Sequence, residues 1–315
     1  MKTSRRDFIG ATAAFAAAAG CTGPRCSIGK TNRPFSLDGR CTLRMPVAGL
    51  KQPVNFLVVG DTHFNFHDGR DDAHADNYKR MARNPTPGDV LAKAMNRARE
   101  AQADIVLFVG DIISFPTLAN IDHLRAELDR CGLPWLYVAG NHDWHFEGDS
   151  GSDIEQRSRW AESRLKPFYQ GENPIMYSRV VKGVRMVMID NSVYHVLPEQ
   201  LAFWKQEAAK GDPIALFMHI PLWLEGWNIT TCGHPDWGAA TDPYWEIERR
   251  ERWAEKLMPS TYAFRETVIN TPNLVGVFTG HKHKLMVGQS RNALFFSVPW
   301  NRDGSCMEVR LSPLS

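Results

Sequence analysis

The chain reads as an α/β protein containing both parallel and antiparallel strands. Three observations predict this. Between residues 54 and 140, apolar strand-like runs alternate with amphipathic helices, an order that produces parallel strands joined by crossovers. Further along, strand-like runs at 174–181 and 184–190 flank Lys182-Gly183, a hairpin turn that makes an antiparallel pair. Several of these runs end in Asp, Asn or His, as strands do when they deliver ligands to one edge of a sheet.

Taken in order, residues 55–60 form a buried strand. Residues 87–102 place Val90, Leu91, Ala94, Met95 and Ala98 at helical spacing. A second strand covers 104–110. A second helix covers 121–130 and is ended by Gly132 and Pro134. A third strand covers 134–140, and a helix covers 152–168. The hairpin pairs 174–181 with 184–190. Residues 198–210 form a helix and 213–220 a strand. An aromatic insertion then occupies about 222–260, and strands at 274–280, 285–289, 293–299 and 307–311 complete the chain. Residues 22–50 are rich in Gly, Pro, Arg and Thr and read as a linker or N-terminal extension, with one early strand near 41–45. No linker interrupts 51–315, so that stretch reads as one domain.

The chain has 315 residues, 43% hydrophobic and 23% charged, enough for a sizeable buried core. Its net charge of +2 comes from the N-terminus: without Lys2, Arg5, Arg6 and Asp7 the basic and acidic residues balance. That leaves no nucleic-acid footprint, which requires a basic patch. Ser4-Arg5-Arg6-Asp7-Phe8-Ile9, followed by an Ala-rich apolar stretch to Ala19, resembles a bacterial twin-arginine signal. Residues 1–21 are therefore expected to direct export to the periplasm or another extracytoplasmic space. Ala18-Ala19-Gly20-Cys21 also resembles a lipoprotein box, making Cys21 a candidate lipid anchor to a membrane surface. The alternatives are a plain cleaved signal and an uncleaved tether. Of six cysteines none forms a CxxC pair, which argues against a thiolate zinc site. Cys26 and Cys41 are a local disulfide candidate in an oxidising compartment.

Five segments carry the chemistry: Gly60-Asp61-Thr62-His63, Gly110-Asp111, Gly140-Asn141-His142-Asp143, Met218-His219 and Gly280-His281-Lys282-His283. Asp61 and His63 lie two apart in what reads as an extended segment, as do His281 and His283, so each pair is expected to face one metal. Asn141 and His142 are adjacent, so their side chains diverge and only one ligates. Hard oxygens mixed with imidazole nitrogens suit zinc, iron or manganese better than calcium. Two divalent ions beside two carboxylates leave a cationic site that attracts and polarises a phosphoryl group.

In their order and spacing these segments resemble the metallophosphoesterase, or calcineurin-like phosphoesterase, family, over roughly residues 51–300. The resemblance implies two mixed β-sheets packed as a sandwich flanked by helices. It implies that Asp61, His63 and His283 bind one metal, that Asn141, His219 and His281 bind another, and that Asp111 bridges both. His142 would contact the phosphate and protonate the leaving oxygen, with Asp143 orienting it, while a metal-bridging hydroxide attacks phosphorus. The substrate would be a small-molecule or surface-polymer phosphoester, monoester or diester, and a non-catalytic scaffold of the same fold is the other reading. Ser114 stands where many relatives carry Asp, Arg or Tyr, and argues against the purple acid phosphatase branch. The acidic stretch 64–87 reads as a solvated loop, with a pocket wall or another cation site as alternatives. His145 is placed at the pocket or the surface, and Asp190-Asn191 at a turn or behind the site. The tryptophans of 222–260 serve either as a lid or as packing. The oligomeric state is not legible in the sequence.

Overall fold

The computed structural model describes residues 34–77, 85–227, 232–234, 258–291 and 293–314. Two six-stranded mixed sheets face each other. In chain order the strands are β1 (Ser36–Leu37), β2 (Thr42–Val47), β3 (Val54–Val59), β4 (Ile105–Val109), β5 (Trp135–Val138), β6 (Met176–Val181), β7 (Val184–Ile189), β8 (Ile214–Phe217), β9 (Leu274–Thr279), β10 (Met286–Ser290), β11 (Ala293–Ser297) and β12 (Met307–Pro313). The first sheet runs β1-β2-β12-β3-β4-β5 and the second β10-β11-β9-β8-β7-β6. β3, β4 and β5 are parallel neighbours, as are β7, β8 and β9, whereas β12 runs antiparallel to β3 and β6 to β7.

Alternation along the strands divides their side chains between two apolar layers. On β3, Phe56 and Val58 point between the sheets, while Leu57 and Val59 face the helices. In the inter-sheet layer Phe56 lies edge-on to Phe217 and Phe278, with ring centroids 5.8 and 5.6 Å away. Burying such rings contributes roughly 2–3 kcal/mol apiece, and their edge-to-face geometry fixes the spacing of the sheets.

Among the described residues five α-helices cover the outer faces: α1 (Val90–Glu100), α2 (Leu118–Cys131), α3 (Asp153–Trp160), α4 (Pro198–Ala208) and α5 (Pro259–Ile269). α1 buries Val90, Leu91, Ala94, Met95 and Ala98, the stripe read from the sequence. The Thr117 hydroxyl caps α2 by accepting from Asn120 N, and Gly132 ends it in the left-handed region. α3 starts with a reciprocal capping box between Ser152 and Glu155. It stops at Trp160, beyond which a π turn and a 3-10 turn replace the single helix expected to 168. The Lys182-Gly183 turn has positive φ at both residues, the handedness that matches the strand twist.

Two differences from the sequence reading matter. The early strand expected near 41–45 is β2, but it is preceded by a further strand, β1, and pairs in parallel with β12, so the stretch from Ser36 onward belongs to the first sheet. α5 was not anticipated; it buries Thr261, Phe264, Val268 and Ile269 against the body. Among the described residues no helix is long and apolar enough to cross a membrane. The twin-arginine segment, Cys21 and Cys26 lie outside the described residues, so the Cys26–Cys41 pairing does too. Among the described residues Cys41, Cys131, Cys232 and Cys306 form no disulfide with one another.

Candidate metal centre

All five ligand-bearing segments follow strands whose C-terminal ends meet at one edge of the sandwich. β3 leads to Asp61 and His63, β4 to Asp111, β5 to Asn141, β8 to His219, and β9 to His281 and His283. The route by which the side chains converge differs from the expected extended alternation. Asp61, His63, Asp111, His281 and His283 all have φ between 52 and 70°. Left-handed backbone is uncommon for non-glycine residues and costs of order 1–3 kcal/mol where it is strained. Five cases in one cluster mark turns that swing the side chains inward from the strand ends.

The glycines of the motifs serve close approach. A Cβ on Gly140 would sit 2.2 Å from Asp111 Oδ1, and one on Gly110 would sit 2.4 Å from Gly140 N. The β4 and β5 loops can touch only where both residues lack a side chain.

The donors fall into two groups, Asp61–His63–His283 and Asp111–His219–His281, each with its ligand atoms within 4.8 Å of one another. Asn141 joins the second group, with Oδ1 3.1 Å from His219 Nε2. His63 Nε2 lies 3.1 Å from His283 Nε2, and His283 Nε2 lies 3.6 Å from Asp61 Oδ1. Asp111 Oδ2 stands 3.1 Å from His219 Nε2 and 3.7 Å from His63 Nε2, so one carboxylate oxygen faces both groups. Ligands held about 2.1 Å from a common cation stand about 3.0–3.4 Å apart, so these spacings fit metal shells. Asp61 Oδ2 is buried without a hydrogen-bond partner, an acceptor that a cation would satisfy.

Electrostatics support the same reading. Burial pushes the Asp61 carboxyl up to about 8, with Asp111 adding repulsion. Burial would also raise Asp111, but the His219, His142 and His63 imidazoles outweigh it and hold that carboxyl well below its usual range. Burial opposes the charged form of His219, yet Asp111 and Asp61 bring its imidazole up to about 9. Without cations, protons must compensate this buried carboxylate cluster; metal binding replaces them and releases them to solvent.

Backbone and second-layer contacts hold the ligands. Asp61 Oδ1 accepts from His281 N at 2.9 Å, tying one sheet's loop to the other's. His219 Nδ1 lies 2.8 Å from Val109 O, which turns Nε2 toward Asp111. Thr62 Oγ1 donates to Asn301 Oδ1, and Thr86 Oγ1 donates to the carbonyls of Thr62 and His63. Ser114 is buried and its hydroxyl donates to His63 O at 3.4 Å, so this residue supports a ligand loop.

His142 stands beside these donors. Its backbone N–H donates to Asp111 Oδ1 at 2.8 Å, and its partly exposed ring lies edge-on to that of His63, 5.0 Å away. Asp143 is fully buried, and its carboxylate accepts from Gly140 N, Asp111 N and Ile113 N at 2.7–2.9 Å. The sequence reading assigned Asp143 to orienting the His142 ring. The bonds observed are to backbone, and through them Asp143 joins the β4 loop to the loop that carries His142.

Other expectations resolve less simply. The stretch after His63 packs on the body: Asp71 is buried, pairs with Arg164 at 3.0 Å and accepts from Leu118 N, while His74 stacks on Phe146. Among the described residues its acidic groups form no third ligand cluster, and residues 78–84 lie outside them. His145 is 1% exposed, which excludes the surface placement. In the insertion, Trp223 packs under the Arg265 guanidinium and against His234, and Trp227 presses on Gly288. These two anchor its base, whereas Trp237, Tyr244, Trp245 and Trp253 lie outside the described residues. The sequence reading missed Trp300, whose ring stacks on His283 at 4.9 Å and lies 5.1 Å from the Arg302 guanidinium. Its position just after a strand was the available signal.

A family model described as calcineurin-like phosphoesterase matches residues 54–285. A Psychrobacter arcticus protein named a probable cyclic nucleotide phosphodiesterase is 20% identical over 274 residues, covering 81% of this chain and 83% of that protein. A crystal structure of a dimetal phosphatase from Danio rerio superposes with a TM-score of 0.51 at 16% identity, covering 80% of this chain and 89% of that one. A purple acid phosphatase from yellow lupin seeds gives 0.49 at 16% identity, covering 84% of this chain and 46% of that one. With the family model spanning most of the chain and the strand-end donors in place, the chain belongs to the calcineurin-like phosphoesterase family of metal-dependent phosphoester hydrolases.

Proposed function

We propose that this protein hydrolyses phosphodiesters outside the cytoplasm, using two metal ions held by Asp61, His63 and His283 and by Asn141, His219 and His281, with Asp111 shared. The observation that carries this reading is the single Asp111 oxygen facing both imidazole groups. Zinc, iron and manganese suit this donor set. Once bound, such ions polarise a phosphoryl oxygen and make water nucleophilic at neutral pH.

The chain's own residues do the rest. The loops fix the donors before substrate arrives, so little reorganisation accompanies the reaction. His142, at the partly exposed rim beside Asp111 and His63, contacts the phosphoryl group and gives a proton to the departing alkoxide. Asp143 holds the loop carrying His142 against the Asp111 loop. Diesters are favoured over monoesters on two grounds. The Psychrobacter relative is named for a diester activity. Ser114 supplies a backbone hydrogen bond where a charged residue would help to hold a monoester dianion. Hydrolysis of bis(p-nitrophenyl) phosphate and of p-nitrophenyl phosphate, each with added manganese, tests this. The diester should be turned over at the higher kcat/KM; a monoester preference contradicts the substrate class, and inactivity on both with metal bound contradicts the enzyme. Arg5-Arg6 support export of the folded protein, with Cys21 as its proposed anchor point. Replacing both arginines with Lys should retain the protein in the cytoplasm on cell fractionation.

A further inference from the structure

The turn that follows β7, Asp190 to Tyr194, lies outside all five motifs, yet it touches each of the three loops assigned to the second metal. Asn191 is fully buried. Its Oδ1 accepts from His219 N at 3.2 Å and Ile220 N at 3.0 Å, and its Nδ2 donates to Ile220 O at 2.7 Å. Three hydrogen bonds from one side chain clamp the backbone of the His219 loop. Ser192 Oγ accepts from the Trp144 indole N–H at 2.8 Å, which holds the loop three residues beyond Asn141. That hydroxyl donates in turn to Asp190 Oδ1 at 2.5 Å, so its orientation is set from within the turn. The Tyr194 ring lies edge-on to the His281 ring, with centroids 5.6 Å apart.

The turn itself is held rigidly. Tyr194 has φ of 64°, an uncommon conformation for a bulky aromatic residue. Its N–H donates to Asn191 O at 2.8 Å, closing the turn. Asp190 N donates to Ile175 O, and Asp190 O accepts from Gln200 Nε2 at 2.6 Å. Arg157, 2% exposed, stands 3.8 Å from Asp190 Oδ1 and contributes positive charge from α3. Supports of a different origin hold the first group: Asn301 and Thr86 on the Asp61–His63 loop, and Trp300 on His283.

We infer that the Asp190–Tyr194 turn is the positioning element of the second metal, with Asn191, Ser192 and Tyr194 setting Asn141, His219 and His281 relative to one another. None of the three side chains ligates. They act through the loops, so their loss should weaken one metal and spare the other. This rests on the ligand assignment proposed above. Outer-shell partners of this kind are worth roughly 10–100-fold in metal affinity.

The test is equilibrium binding of manganese to the purified full chain, with the ions bound per chain counted by elemental analysis. Wild type should bind two. Asn191→Ala should keep one at wild-type affinity and bind the other roughly 10–100-fold more weakly, with excess manganese restoring it. Asn191→Asp, which keeps the shared acceptor, should fall between. Ser192→Ala provides a milder second variant should Asn191→Ala not fold, and is expected to shift the same step to a smaller degree. Thr261→Val is the control. Its buried hydroxyl accepts from Val196 N just beyond the turn, so it should lower Tm without changing either binding step. Two unaltered steps in the Asn191 and Ser192 variants, or equal weakening of both, would overturn the inference. A wild-type chain that binds fewer than two ions would instead overturn the ligand assignment itself.

Discussion

His142 and Asp111 share a hydrogen bond but differ in the tasks proposed for them. Asp111 places one oxygen toward both imidazole groups, so its charge belongs to the whole centre. His142 meets Asp111 through its backbone N–H, which leaves its ring at the rim, beside His63. Removing the ring should therefore leave the donors in place. For His142→Ala the metal content is expected to match wild type, while kcat on a diester with a poor leaving group falls about 10²–10⁴-fold. The loss should shrink for a nitrophenolate leaving group, which departs with little need of a proton. Equal losses on both substrates would contradict proton donation. His195 shows a buried imidazole put to another use. Its Nδ1 accepts from Met258 N at the start of α5, which requires an unprotonated nitrogen. Burial, with Arg157 adding repulsion, lowers its pKa from 6.5 to about 4. Below pH 6.5 the unfolded chain takes up a proton that the folded chain refuses, so stability falls from there down to about pH 4. Between pH 7 and pH 5 this group should cost about 2 kcal/mol. Urea denaturation of wild type and His195→Asn at both pH values checks this: the variant should lose less stability on acidification. Identical pH dependence would show that His195 is not responsible.

At the scale of elements, strand ends and loop conformations decide the site. The candidate donor segments could be read from the sequence because each Gly-Asp, Gly-Asn-His or Gly-His follows an apolar run. The glycines mark places where neighbouring loops touch, as Gly110 and Gly140 do. Less legible was how those residues turn inward. Positive φ at Asp61, His63, Asp111, His281 and His283 depends on cross-loop bonds such as His281 N to Asp61 Oδ1, which link residues 220 positions apart. The bonds from Asp143 to the β4 loop were hidden for the same reason, since Asp111 N and Ile113 N lie 32 and 30 residues away in sequence. Asp190-Asn191 read equally well as a turn, and only the folded chain brings Asn191 to His219. α5 went unseen although Phe264 and Val268 stand at helical spacing after Pro259, because its first turn lies within a stretch dominated by aromatic residues.

Across the whole molecule, the two sheets divide the proposed ligands between them. β3, β4 and β5 present Asp61, His63, Asp111 and Asn141, while β8 and β9 present His219, His281 and His283. Each metal group therefore draws on both sheets, and the cluster of Phe56, Phe217 and Phe278 sets the separation between its halves. Phe217 lies two residues before His219, and Phe278 two before Gly280, so packing between the sheets bears directly on donor spacing. This joins stability to function: cations bound across the sheet edges should stabilise the folded chain, because the unfolded chain lacks the site. The central claim, two cations joined by Asp111, is tested most directly by counting manganese ions bound to the purified chain and to Asp111→Asn. Two ions per chain in the unaltered protein are expected, with affinity lowered at both positions in the variant. Two ions retained at full affinity in Asp111→Asn, or fewer than two in the unaltered chain, would contradict it.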